Sequence, residues 1–315
     1  MIEFDSKLAR TFLYVCQERT LRAAAYSLDL EPSSVSRQIN TLETQLGLPL
    51  LERSRKGVVP TEAGRLLLDH LRRQRADNEA LLSDFDALRG MQRGEIVIAI
   101  GDGFISDFMA NALPSFRAAL PGISFQLLSG STEKVAKLVR EDVAHFGFAF
   151  NPDREQALRV IERVRQPLEV LLSPQSKHAG SGVAMSMSQL TEIPLALPRP
   201  EVGIGTLLRE TEATYGVRLS GLVETDSLAV LRNFVREDIG ATILPAFVVA
   251  RELADGHVVT VPLDIPELQK GEATILVRTG RRLPEAASRL ATHAARAMLA
   301  FRRKIQVPNV APNAT

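Results

Sequence analysis

The spacing of apolar residues changes character once along this chain, and that change limits the fold more than any other feature. Up to residue 46 only helical periods occur. Phe4, Leu8, Phe12 and Val15 make one stripe, Leu21, Ala24, Ala25 and Leu28 a second, and Val35, Ile39, Leu42 and Leu46 a third. From Gly94 onward, short apolar runs alternate with amphipathic stretches. "EIVIAIG", "ISFQLLSG", "FGFAF", "LEVLLS", "PLALP", "LSGLVET", "ATILP" and "ATILVRTG" read as strands, with helices such as Ile105 to Leu120 and Thr132 to Glu141 between several of them. The first pattern predicts three short helices. The second predicts an open α/β sheet, long enough for two subdomains.

Between these regions the signals are finer. Thr20 is placed to cap the second helix and Gly47 to end the third. "LLERSRKGVV", residues 50 to 59, reads as a hairpin turning at Gly57, with Arg53, Arg55 and Lys56 at its tip, a candidate wing for DNA backbone or minor groove. Thr61 caps a helix expected to reach about Met91. Along it Leu67, Leu71, Gln74, Asn78, Leu81, Phe85 and Leu88 alternate spacings of four and three, the seam of a coiled coil. The expectation is a homodimer through Leu67, Leu71, Leu81, Phe85 and Leu88. A solvated linker helix is the alternative.

The third helix carries the chemistry. Val35, Ile39, Leu42 and Leu46 fall within about 60° of its circumference, and Ser33, Arg37, Asn40 and Thr44 lie opposite, flanked by Ser34, Ser36 and Gln38. Pro32 suits the first helical position, where its missing donor costs nothing. Solvated faces are normally rich in Glu and Lys, whereas this one carries small hydroxyls, Arg and Gln. Hydroxyls and free N–H groups at a helix start bind phosphates, and Arg and Gln can fork onto guanine and adenine edges. With "LRAAAYSL" before it, the pair reads as a helix-turn-helix. Arg37 and Gln38 are the candidate base contacts; Pro32, Ser33, Ser34 and Ser36 position the helix.

A net charge of +1 gives no overall bias toward nucleic acid, so any such site is local. The one cysteine, Cys16, rules out a disulfide framework and reads as a small core residue. No basic-then-apolar leader and no apolar run long enough for a bilayer is present, which predicts a cytoplasmic protein without a membrane partner. An α/β enzyme, or a solute-binding module with a helical head, is the rival reading. The sequence has no GxxxxGK[ST], HExxH or GxSxG. His70, His145, His178, His257 and His293 are scattered and read as surface or capping residues. No cofactor or metal is expected.

The segment "FLYVCQERTLRAAAYSLDLEPSSVSRQINTLETQLGLPLLERSRKGVVPTEAG" resembles the winged helix-turn-helix of LysR-type transcriptional regulators. "LPSFRAALPGI", "REDVAHFGFAF", "SPQSKHAG" and "IGATILP" follow in the order of that family's effector domain. Leu51, His145, Glu237 and Asp238 depart from its pattern. The resemblance implies an α/β fold in three parts. These are a winged helix-turn-helix over 1–60, a linker helix over 61–92, and a periplasmic-binding-protein-like domain over 93–303, before a tail at 304–315. Within that domain, subdomain one would comprise 93–163 and 266–303, and subdomain two 164–265. It further implies a transcriptional regulator with double-stranded DNA, a small-molecule effector, RNA polymerase and further copies of itself as partners, as homodimer or homotetramer. By position, the effector would meet Asp102, Gly103, Phe104, Ser131 and Thr132 from one subdomain, and Gly203, Ile204, Gly205, Thr225, Asp226 and Ser227 from the other. Ordinary helix capping is the alternative for each Ser, Thr and Asp. If Asp102 and Asp226 both face the cleft, a hydroxylated, amine-bearing or zwitterionic ligand is favoured.

Overall fold

Phe12, Val15, Val35, Ile39 and Leu42, one from nearly every turn of the helical stripes, meet in a single apolar cluster, and that meeting builds the head. The structure is a computed structural model and describes residues 6–54, 57–88, 93–179, 183–200 and 203–302. Phe4 and the tail at 304–315 lie outside them. The chain divides into two compact units, Met1–Leu81 and Leu82–Thr315.

In the first unit α1 (Ser6–Glu18), α2 (Leu21–Leu28) and α3 (Pro32–Leu46) pack together, followed by β1 (Leu51–Ser54) and β2 (Gly57–Pro60). Thr20 caps α2 by accepting from the Ala23 N–H at 3.1 Å. Gly47 ends α3 with φ +68, a left-handed conformation that glycine adopts without cost. The Glu43 carboxylate takes the N–H groups of Leu50 and Leu51 at 2.7 and 3.2 Å, tying α3 to the start of the hairpin. Gly57 is required by close approach. A Cβ there would stand 2.4 Å from the Arg19 carbonyl, which instead receives the Val58 N–H at 2.7 Å. Thr61 caps α4 (Glu62–Leu88) through Gly64 at 3.0 Å.

The second unit has two five-stranded sheets. The first, in order β4-β3-β5-β12-β6, uses β3 (Gly94–Gly101), β4 (Ile123–Gly130), β5 (Phe146–Phe150), β6 (Leu158–Arg165) and β12 (Glu272–Arg278). The second, in order β11-β7-β10-β8-β9, uses β7 (Leu168–Leu172), β8 (Leu195–Pro198), β9 (Gly221–Thr225), β10 (Ala241–Pro245) and β11 (Val259–Val261). Each has three adjacent parallel strands extended by two antiparallel pairings, so that one strand, β12 in the first and β7 in the second, runs against the other four. A helical run after β3 contains α5 (Ile105–Asp107) and α6 (Leu113–Ala119). Then come α7 (Thr132–Arg140) after β4, α8 (Met187–Leu190), α9 (Gly203–Tyr215) after β8, α10 (Leu228–Arg236) after β9, α11 (Ala250–Ala254) and α12 (Glu285–Ala297). One apolar core runs through both sheets, from Ile96, Ile98 and Phe148 to Val170, Leu195 and Ile243.

Two strands, β6 and β11, were not expected from the sequence. The expected subdomain boundary at 163/164 falls inside β6, which pairs with β12 on both sides of that point, with a bulge at Ile161. The chain crosses between sheets at Gln166, whose N–H donates to the Gly271 carbonyl at 2.8 Å where the chain returns. Nor is His145 a surface residue. It is buried, and its Nδ1 accepts the Val97 N–H at 2.9 Å.

Candidate functional site

On α3 the residues divide as their spacing dictates. Val35, Ile39 and Leu42 are buried, while Pro32, Ser33, Arg37, Asn40, Thr41 and Thr44 are exposed, and Ser34, Ser36 and Gln38 are half-buried at the flanks. Glu31 precedes the helix without a side-chain cap, but its carbonyl takes the N–H groups of Ser34 and Val35 at 2.9 and 3.2 Å and Pro32 has none, so the Ser33 N–H is the first-turn donor left without a partner among the described residues. Gln38 is not simply outward-facing. Its Oε1 accepts the hydroxyl of Thr11, a buried residue of α1, at 2.6 Å, so its amide is oriented and its NH2 is the end left to donate. Tyr26 on α2 is 91% exposed. In the wing, Arg55 and Lys56 lie outside the described residues, as does the side chain of Arg53.

The expected seam along α4 is corrected. Leu67 and Leu71 are 7% and 3% exposed and belong to the head's own core with Phe12, Leu42 and Leu50. The large apolar side chains that α4 leaves exposed are Leu66, Leu81, Leu82 and Phe85; Phe85 is 46% exposed. A spacing of four and three fits the core-facing side of the first turns and the open side of the last ones equally well, so the pattern alone merged two faces. The Leu88 side chain lies outside the described residues.

In the second unit, a cavity of about 460 Å³ opens where the carboxyl ends of the parallel strands of both sheets converge. From the first sheet it takes Asp102, Gly103 and Phe104 after β3, Ser131 and Thr132 after β4, and Phe150 at the end of β5. From the second it takes Arg199 after β8, Gly203 and Ile204 at the start of α9, Thr225 and Asp226 after β9, and Phe247 and Val248 after β10. Gly103 lets the two walls approach: a Cβ there would be 3.2 Å from Val248 Cγ2. The Thr132 hydroxyl donates to the Phe150 carbonyl at 3.0 Å, and Ser131 caps α7 by accepting from Lys134 N–H at 3.3 Å.

Two expected residues do not line this cavity. Gly205 packs against the end of β8, where a Cβ would meet the Arg199 carbonyl at 1.9 Å; it seats α9 rather than touching a ligand. Ser227 is the residue before α10, and its N–H is taken by Thr225 Oγ1 at 3.0 Å. Arg199 and Glu133 line the cavity and were not foreseen. Arg199 follows "PLALP" directly, so the tendency of open α/β sheets to bind ligands at the carboxyl ends of their strands is the signal that could have found it.

Burial pushes the Cys16 thiol up to about 12, with the Arg72 charge pulling weakly the other way. A thiol of that kind is almost wholly protonated at neutral pH and a poor nucleophile. At pH 8, a maleimide should therefore leave the folded protein unlabelled and label one site per chain only in denaturant. Rapid labelling of the native protein would contradict this placement.

Residues 6–65 match the family model described as "Bacterial regulatory helix-turn-helix protein, lysR family", and residues 89–299 match the LysR substrate binding domain. A probable HTH-type transcriptional regulator LrrA of Synechococcus elongatus is 28% identical over 79% of this chain and 84% of its own. Among solved structures, a full-length OxyR from Pseudomonas aeruginosa, in a cysteine-to-aspartate variant, superposes with a TM-score of 0.71 at 17% identity, covering 98% of this chain and 99% of that one. ArgP from Mycobacterium tuberculosis does so with a TM-score of 0.66 at 20% identity, covering 96% and 100%. With family models spanning both its helical head and its two-sheet domain, and with curated relatives that are regulators, this chain belongs to the LysR family: a DNA-binding transcriptional regulator with an effector-binding domain, not an enzyme.

Proposed function

We propose that a small molecule bound between the two sheets of the second unit sets which of its arrangements is populated, and thereby alters what the DNA-binding heads do at a promoter. The observation that carries this reading is the composition of the cavity, which draws residues from both sheets. A ligand touching both walls binds one arrangement of the subdomains better than others, and that differential affinity is the only means by which it can shift an equilibrium.

On the DNA side, Arg37 and Gln38 read base edges while Pro32, Ser33, Ser34 and Ser36 place the helix on phosphates, with Arg53, Arg55 and Lys56 of the wing adding backbone charge. Further copies of the chain associate through the exposed strip of α4, Leu81 and Phe85 included, to give a homodimer or homotetramer. RNA polymerase is the partner that would turn altered promoter contacts into altered transcription. The protein would work in the cytoplasm, with the DNA. Among the described residues no helix is long and apolar enough to cross a membrane.

The test uses operator binding by the full chain. Arg37→Ala should weaken specific binding by about 1 to 3 kcal/mol and relax preference at one base pair of each half-site. Because Arg37 is exposed, the variant's melting temperature should stay that of the parent. An equal loss on every DNA sequence would make Arg37 a phosphate contact instead. Thr132→Val should spare operator affinity without ligand and remove the ligand-dependent change in the footprint; a normal response would move the sensing site out of the cleft.

A further inference from the structure

The charges in the cleft say more than that a ligand binds there. Asp102 and Glu133 stand on the wall built by the first sheet, Asp226 and Arg199 on the wall built by the second. None of these four side chains has an ion-pair partner among the described residues. The nearby ammonium of Lys134 is turned onto the Ser129 carbonyl at 2.8 Å and does not line the cavity. Three exposed acidic residues and one exposed arginine therefore line a single concave site, together with Phe104, Phe150, Phe247 and Val248.

We propose that this cleft takes a ligand with a cationic nitrogen on an apolar body, and that Arg199 fixes a carboxylate at the other end when the ligand is a zwitterion. The inference rests on the cleft being the effector site. Unpaired carboxylates repel one another more strongly as water leaves the space between them, and a cation among them reverses that repulsion, whereas a purely anionic ligand adds to it. Thr132 reinforces the preference. Its proton is committed to the Phe150 carbonyl, so toward the cleft its oxygen offers lone pairs only, which suits an N–H donor. A carboxylate finds its counterpart at Arg199. The cavity of about 460 Å³ suits a body the size of a phenyl or branched C5 group.

The experiment is calorimetric titration of the full chain with six matched probes: 2-phenylethylamine, phenylalanine and 3-phenylpropanoate, and isoamylamine, leucine and 4-methylpentanoate. The amines and amino acids should bind at least tenfold more tightly than the corresponding acids. Asp102→Asn with Asp226→Asn should erase that order, and Arg199→Gln should weaken the amino acids tenfold while sparing the amines. Equal or tighter binding of the acids overturns the proposed ligand class, as does failure of all six to bind. Leu228→Trp, which enlarges a side chain lining the cavity, separates the two levels of inference. Where it abolishes probe binding, the cleft is the site and the charge order decides the class. Where a probe binds it unchanged, the site lies elsewhere and both readings fall.

Discussion

Leu71→Asp should unfold the DNA-binding head instead of merely separating subunits. Leu71 is 3% exposed and packs in the cluster that holds Phe12, Val15, Leu42 and Leu50. Truncating a buried leucine costs about 2 to 5 kcal/mol, and placing a carboxylate in the space adds the desolvation of an unpaired charge. Together these approach the whole stability of a small domain, about 5 to 15 kcal/mol. Hydrogen exchange on the full chain should show α1 to α3 unprotected while strands of the second unit stay protected. Phe85→Asp is the contrasting variant, since Phe85 is nearly half exposed and no head residue loses a core neighbour. It should keep a protected head and lower the sedimented mass. A Leu71→Asp protein with parental protection in α1 to α3 would show that this position is not core.

The same residues show what the sequence could and could not convey. The buried and open sides of α3 were legible because one local period, Val35 to Ile39 to Leu42, decides both. The cleft was legible because strand ends and helix starts leave their own marks, as at Gly101–Asp102 and Ser131–Thr132. Strand β6 was not, because "LRVIERVR" sits at a sheet edge, where charged residues on half-exposed positions blur the alternation that marks a strand. Leu67 and Leu71 were assigned to the wrong surface for a related reason. A helix that is buried on one side early and open on another side later keeps a single period throughout, and only the tertiary partners distinguish the two. Ser227 followed the family position, yet one residue separates Asp226, which lines the cavity, from a residue that only opens α10.

A second large effect is expected at a group that does not line the cleft and that local sequence patterns do not reveal. Asp142 follows α7 in a left-handed conformation, φ 55, and its carboxylate is buried between Arg278, the last residue of β12, and Arg281 just beyond it. Arg281 Nη1 donates to it at 2.8 Å and also to the Ala144 carbonyl at 3.2 Å, while Arg278 Nε lies 2.6 Å from its other oxygen. The turn so anchored leads into β5 through His145, which exchanges hydrogen bonds with Val97 on β3. Removing one member of a buried ion cluster is costly because the charges left behind cannot regain water, about 3 to 5 kcal/mol in such cases. Asp142→Asn isolates that term, since asparagine tolerates the left-handed backbone at least as well as aspartate. In a unit of this size each kcal/mol lowers the melting temperature by about 2 to 4 °C, so the second unit should melt roughly 6 to 20 °C lower. Asp142→Ala should fall further, because alanine adds backbone strain of about 1 kcal/mol at positive φ. Differential scanning calorimetry of the full chain resolves the effect, and the head's own transition should not move. A loss below about 1 kcal/mol in the asparagine variant would mean that Arg278 and Arg281 reach water once Asp142 is neutral, and that the cluster fastens no more than an exposed ion pair does.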